Sequence, residues 1–125
     1  MDIYFEATML RVLSMNFSKN QKYVSELIGS FFLVLTVVGS GIMADHLSQD
    51  NGITLLGNAI PTGLTLIVII SIFGPISGAH FNPIVSLVFW LKRMMLLKDF
   101  IAYVVMQIGG CLLYTSDAAD ETCRV

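Results

Sequence analysis

Long apolar stretches separated by short polar ones dominate the chain. The first covers about residues 24–44 and the second about residues 53–73, with a short polar turn at residues 45–52 between them. A helix needs about 20 apolar residues to cross the hydrocarbon core of a bilayer, so both stretches are long enough to span it. The pattern predicts an all-α membrane protein with two full transmembrane helices.

The other apolar stretches are shorter. Residues 84–91 are too few to cross a bilayer and predict a half-helix. A third span begins near Phe100, but the chain turns polar at Thr115, which predicts a truncated third transmembrane helix. The N-terminal segment, residues 1–23, has a spacing of apolar positions that fits an amphipathic helix on the membrane surface. A poorly ordered terminus, or a true start at Met15, fits it equally well.

Composition places the chain among membrane proteins, because 55% of its residues are hydrophobic, 13% are charged and the mean hydropathy is +0.77. No basic cluster is interleaved with aromatic residues, so we expect no nucleic-acid partner. The sequence also lacks a Ser/His/Asp or Cys/His grouping, a phosphate-binding loop and a metal-ligand spacing. We therefore expect neither an enzyme nor a cofactor.

Basic residues indicate the orientation of the chain. Six of the seven Lys and Arg residues precede the first span or follow the half-helix, whereas residues 45–52 contain no Lys or Arg; the six are Arg11, Lys19, Lys22, Lys92, Arg93 and Lys98. The positive-inside rule then places the N-terminus and the loop at residues 92–99 in the cytoplasm. The half-helix accordingly enters and leaves the membrane on the cytoplasmic side, as part of a re-entrant segment.

The stretch from Ser77 to Pro83 lies between two apolar stretches, yet it contains Gly, His, Asn and Pro. Irregular backbone is tolerated at membrane depth only where it is buried in protein or lines a water-filled cavity. Asn82 suits the N-cap of a helix and Pro83 its first position. The order of residues predicts an irregular loop followed by a half-helix whose positive N-terminal end points into a cavity.

Residues 77–85 read Ser-Gly-Ala-His-Phe-Asn-Pro-Ile-Val. They resemble the first signature loop of the major intrinsic protein family, the aquaporins and glycerol facilitators, in which Ala stands at the position of Ile84. The resemblance implies that residues 24–110 form the N-terminal half of an aquaporin-like channel domain, one half of an inverted repeat. It further implies a passive channel for water or small neutral solutes such as glycerol, assembled as a homotetramer in the cell membrane. The alternative is a small non-conducting helical subunit or anchor.

Several residues are candidates for the pore. The Asn82 amide suits donation to a passing water, although Asn-Pro is also an ordinary turn starter. Gly78, Ala79 and His80 would offer carbonyl acceptors, and the His80 ring is either a titrating gate or, as we favour, a structural tie. Glu26 either lies in water at the interface or, as we favour and as the family's Glu-x-x-Gly implies, is buried and braces the loop.

Three further positions follow from the resemblance. Pro83 presets the first helical turn, and Ile84 adds bulk where two half-helices would meet. Thr62 falls where family members carry an aromatic residue of the outer constriction. Since Thr is smaller than Phe or Trp, we expect a wider constriction there.

Residues 111–125 have a different character. From Cys111 to Glu121 they look like one reading frame of a sequencing-library adapter. We hypothesise that this tail is not native; codons that do not spell the adapter would disprove the hypothesis. The alternative is a genuine polar C-terminus.

Overall fold

The computed structural model describes residues 16–122, and the side chains of residues 16–114. The described chain forms four helices: α1 (Lys19–Leu47), α2 (Asn51–Ser77), α3 (Pro83–Leu91) and α4 (Leu97–Thr122). Three helical stretches are long and apolar enough to cross a membrane: α1, α2 and residues 97–114 of α4. The all-α membrane fold predicted from the sequence is confirmed. The surface helix predicted near the N-terminus falls mostly on residues 1–15, outside the described residues.

Local capping moves two helix boundaries away from the predicted ones. α1 begins before residue 24 because Ser18 and Gln21 form a capping box, with the Gln21 N–H donating to Ser18 Oγ (3.3 Å) and the Ser18 N–H to Gln21 Oε1 (2.8 Å). α2 begins at Asn51 because Asp50 Oδ1 accepts hydrogen bonds from the N–H groups of Gly52 (2.8 Å) and Ile53 (3.0 Å). The turn is thus confined to residues 48–50 and is shorter than predicted.

The later helices also extend further than the apolar pattern indicated. α2 contains Pro61 and Pro75 and continues to Ser77, whereas the sequence placed its end near residue 73. Proline is tolerated in membrane helices because neighbouring groups satisfy the freed backbone positions. α4 remains helical to Thr122. Its apolar part ends at residue 114, so the apolar stretch is short as predicted but the helix continues beyond it.

The helices form a bundle in which α1 contacts both α2 and α4, and α3 packs on α4. A Cβ on Gly110 would collide with the Leu27 carbonyl oxygen, so glycine permits the close approach of α4 to α1. Asp99, near the start of α4, accepts hydrogen bonds from Lys19 Nζ (2.8 Å) and the Tyr23 hydroxyl (2.7 Å). The chain between α2 and α4 therefore returns to the end of the bundle where α1 begins. α3, with nine residues, is about 13 Å long and does not cross the bundle.

Burial is inverted relative to a water-soluble protein. In the described part of the chain the largest fully buried side chains are all polar: Gln107, Glu26, Ser30 and Ser86. Large apolar side chains such as Ile42, Leu55 and Ile67 are exposed on the outer faces of the helices. This arrangement suits a bundle whose outer surface faces lipid.

Candidate functional site

The segment between α2 and α3 is short and irregular. α2 ends at Ser77, Gly78 follows with φ of 91°, and α3 begins at Pro83. Ala79 (φ 50°) and Phe81 (φ 47°) also adopt the left-handed backbone conformation, which costs an L-residue about 1–2 kcal/mol. Such conformations persist only where surrounding contacts fix them, so neighbouring groups must hold this loop in place.

The Glu26 carboxylate of α1 supplies those contacts. Its side chain is fully buried and accepts hydrogen bonds from two loop N–H groups, His80 to Oε1 (3.0 Å) and Phe81 to Oε2 (2.7 Å). Oε1 also accepts from the Ser77 hydroxyl (2.6 Å), and Oε2 from Gln107 Nε2 (2.8 Å). A carboxylate has about four lone-pair sites, and all of them are used here. Glu26 therefore lies inside the bundle against the loop, and not in water at the interface.

Phe81 defines the depth of the loop. Its ring occupies the space that a Cβ on Gly29 would need, which explains why glycine follows Glu26 at this spacing. The Ser30 hydroxyl donates to the Phe81 carbonyl oxygen (3.5 Å). Ser30 is the twelfth residue of a 29-residue helix, so it lies about 16 Å along a length of about 43 Å. The loop thus reaches the middle third of the bundle.

The His80 ring is buried in a cluster of polar and aromatic groups. Its Nδ1 lies 3.0 Å from Ser86 Oγ, and Gln107 Nε2 donates to the same hydroxyl oxygen (3.0 Å). The ring also contacts Phe89 and Tyr103, with centroid separations of 4.4 Å and 5.3 Å. These contacts tie the loop to α3 and α4 and fit the structural interpretation of His80.

Sequence reasoning missed Ser30 and Ser86. Both are fully buried and bind the loop or its histidine, yet a lone serine on an apolar helix has no spacing that distinguishes it. The Tyr103 hydroxyl, on α4, makes a third such contact: it donates to the Ser77 carbonyl oxygen (2.7 Å) and anchors the end of α2. The one local signal for Ser86 is its position one helical turn after the cap at Asn82.

The open side of the loop presents polar groups without protein partners. Asn82 caps α3 through Oδ1, which accepts from the Ile84 N–H (2.9 Å). Its exposed NH2 group meets no acceptor among the described residues. Nor do the carbonyl oxygens of Gly78, Ala79 and His80 meet a donor within the part of the chain whose side chains are described. The loop therefore offers one amide donor and three carbonyl acceptors.

Pro83 and Ile84 lie at the loop, whereas Thr62 lies elsewhere on α2. Pro83 occupies the first turn of α3 as predicted, and Ile84 beside it is 64% exposed, so its bulk lies on the open side of the loop. Thr62 is not brought to the loop. Its hydroxyl donates to the Asn58 carbonyl oxygen (2.8 Å) in the same helix, and it lies about 22 Å before the end of α2 at Ser77.

A cavity of about 390 Å³ adjoins the loop at the end of the bundle where α1 begins. Its lining includes Gly78 and His80 of the loop and Lys19, Tyr23 and Asp99 of the helix ends. Because Asp99 is hydrogen-bonded to both Lys19 and Tyr23, these three residues form a polar link beside the cavity. The cavity connects the loop with the basic end of the bundle.

Comparisons with known proteins match residues 12–116 to the family described as major intrinsic protein. The chain is 47% identical over 100 residues to aquaglyceroporin AqpS of Rhizobium meliloti (strain 1021), an alignment that covers 80% of this chain and 43% of that protein. It is 40% identical over 102 residues to aquaporin NIP1-1 of Arabidopsis thaliana, covering 82% of this chain and 34% of the relative. It is also 40% identical over 93 residues to nodulin-26 of Glycine max, an alignment that covers 74% of this chain and 34% of that relative. The chain spans less than half the length of these relatives. No solved structure matches it significantly.

Proposed function

Because the chain belongs to the major intrinsic protein family, we propose that the whole protein is a channel that passes water and small neutral solutes such as glycerol passively. The observation that carries the proposal is the irregular loop at residues 78–82, held deep in a membrane bundle by the buried Glu26 carboxylate. Irregular backbone at this depth is tolerated beside a water-filled path. The names of the matched relatives, aquaglyceroporin and aquaporin, support the same activity.

In this mechanism the loop replaces part of the hydration of a permeating molecule. The carbonyl oxygens of Gly78, Ala79 and His80 accept hydrogen bonds in succession, and the Asn82 NH2 donates one at the inner end. The N-terminus of α3 begins beside Asn82, so the positive end of its dipole disfavours cations at this point. A second half-helix from an inverted repeat would complete the pore at the midplane. Thr62, nearer the α1–α2 turn, would leave an outer constriction wide enough for glycerol.

We also propose that the N-terminus lies in the cytoplasm and that the complete protein forms a homotetramer in the cell membrane. The start of α1, with Lys19 and Lys22, and the loop after α3, with Lys92 and Arg93, lie at the same end of the bundle. The turn between α1 and α2 has no Lys or Arg, so the positive-inside rule favours this orientation.

We propose further that residues 1–125 alone do not conduct, since one half-helix does not enclose a midplane pore. The complete reading frame distinguishes the channel from the alternative: a second Asn-Pro-Ala-like loop with a nearby Arg supports the channel, and its absence supports a non-conducting subunit. The nucleotide record likewise tests the non-native origin of residues 111–125.

Osmotic swelling of liposomes that contain the full-length protein tests the mechanism. Asn82→Asp replaces the amide donor with a charged acceptor while keeping the size of the side chain and an oxygen to cap α3. A hydrogen bond has a net worth of about 0.5–1.5 kcal/mol, so we expect water and glycerol flux to fall by roughly twofold to tenfold. Asn51→Asp, the same change at the exposed start of α2, is the control and should leave both fluxes unchanged.

Equal fluxes in wild type and Asn82→Asp would disprove the donor role of Asn82. Absence of any flux above that of protein-free liposomes, in wild type, would disprove the channel itself. The two failures are therefore distinguishable in one experiment.

A further inference from the structure

The loop between α3 and α4 carries a basic surface that the permeation mechanism does not use. We infer that this basic surface, formed by Lys92, Arg93 and Lys98, acts together with an adjoining apolar groove to bind an anionic phospholipid of the nearer leaflet. The inference depends on the membrane placement of the bundle and is independent of what the channel conducts.

The three cations are available for a ligand. Lys92, Arg93 and Lys98 are exposed, and none forms an ion pair or a side-chain hydrogen bond within the described part of the chain. Asp99, which follows Lys98 in the sequence, is already hydrogen-bonded to Lys19 and to a tyrosine hydroxyl. Three positive charges within seven residues therefore lie at this end of the bundle without an ion-pair partner in the described part of the chain.

The backbone fixes where two of these charges lie. After α3 the Met94 N–H bonds to the Phe89 carbonyl oxygen (3.0 Å) and the Arg93 N–H to that of Trp90 (2.9 Å). Arg93 has φ of 57°, a conformation that favours glycine at such helix ends. The tight turn holds Arg93 immediately beyond the helix, next to Lys92, so the two charges are presented together.

An apolar groove begins beside the third charge. It is shallow and open to the surroundings, and it is lined by Leu96, Leu97, Lys98 and Ile101. The three apolar lining residues are all more than half exposed. A groove lined by apolar side chains, with a lysine ammonium group at its border, matches a lipid that has an acyl chain and an anionic headgroup. A soluble anion would leave the groove uncovered, and a zwitterionic lipid would leave the positive charges without a net counter-charge.

Trp90 provides an optical reporter beside this surface. It is the only tryptophan in residues 1–125, it precedes Lys92 by two positions, and its ring stacks on Phe100 with a centroid separation of 5.5 Å. Tryptophan at such a boundary lies at the level of the lipid headgroups. Brominated lipids that bind here should quench its fluorescence by contact.

The test titrates brominated phosphatidylglycerol, or brominated phosphatidylcholine, into the full-length protein in detergent. The Trp90 signal is isolated by subtracting that of Trp90→Phe. Each basic residue near an anionic lipid contributes roughly fivefold in affinity. We expect half-maximal quenching at a much lower concentration of phosphatidylglycerol than of phosphatidylcholine, and a shift of roughly fivefold towards weaker binding in Lys98→Gln.

Two further variants separate a built site from general attraction to a basic protein. Ile101→Ser removes apolar lining while keeping every charge, and should weaken phosphatidylglycerol binding by roughly threefold to tenfold. Lys22→Gln removes a positive charge near the start of α1, at the same end of the bundle. Because Lys22 lines the cavity and not the groove, this variant should leave quenching unchanged. Equal quenching by the two lipids, an unchanged Lys98→Gln, an unchanged Ile101→Ser, or an equal loss in Lys22→Gln would each overturn the inference.

Discussion

Replacement of Glu26 by glutamine should release the re-entrant loop while leaving its sequence intact. The substitution keeps the shape of the side chain but exchanges one acceptor oxygen for an NH2 group. Ser77 can rotate its hydroxyl, and Gln107 can turn its amide, to accept from that group. The main-chain N–H groups of His80 and Phe81 can only donate, so each of them still needs an acceptor oxygen. One of these two N–H groups must therefore lose its partner.

The magnitude follows from the hydrogen bonds that Glu26 accepts. A buried N–H without a partner costs about 1–3 kcal/mol, and the remaining hydrogen bonds weaken because the acceptor is no longer charged. Removing the buried charge offsets part of this loss, because its desolvation no longer opposes folding. We expect a net loss of about 2–4 kcal/mol. The left-handed conformations of Ala79 and Phe81 together cost a similar amount, so the loop would relax from its native conformation.

Two measurements on the full-length protein check this prediction. Thermal unfolding in detergent should show a lower midpoint for Glu26→Gln, and liposome swelling should show a lower water flux. Asp45→Asn makes the same chemical change at an exposed position on the same helix and should shift stability by no more than about 0.5 kcal/mol. If Glu26→Gln and Asp45→Asn behave alike in both assays, the loop does not depend on the buried carboxylate.

Two other substitutions test the packing and the solute preference. Gly29→Ala should destabilise the protein by about 1–3 kcal/mol or more in thermal unfolding, because its Cβ would overlap the Phe81 ring. Gly39→Ala is the control: its Cβ would meet no atom within 4 Å, so it should be neutral or stabilising. Thr62→Phe should lower glycerol flux much more than water flux in liposomes, because it narrows the outer constriction; a constant ratio of the two fluxes would show that Thr62 does not line the path.

The sequence predicted those features that depend on local chemistry. Asn82 and Pro83 indicated the start of α3, because an N-cap followed by proline at the first helical position is a local signal. The shortness of the apolar stretch after Pro83 predicted a half-helix. The capping box of Ser18 and Gln21 is also a local signal, and it starts α1 earlier than the apolar pattern alone indicates.

Contacts between segments that are distant in the sequence could not be predicted from local sequence signals. Glu26 was assigned to the loop through the family resemblance, since nothing in its own segment shows that the four donors converge on it. Ser30 and Ser86 gave no signal, because their partners lie on other segments of the chain.

An experimental structure of the full-length protein in lipid, at a resolution that shows ordered water, is the most direct test of the central claim. We predict that residues 77–83 remain irregular near the midplane, with a water molecule about 3 Å from Asn82 Nδ2. A loop lying in bulk solvent, or residues 77–83 wound into an unbroken membrane-crossing helix, would contradict the account.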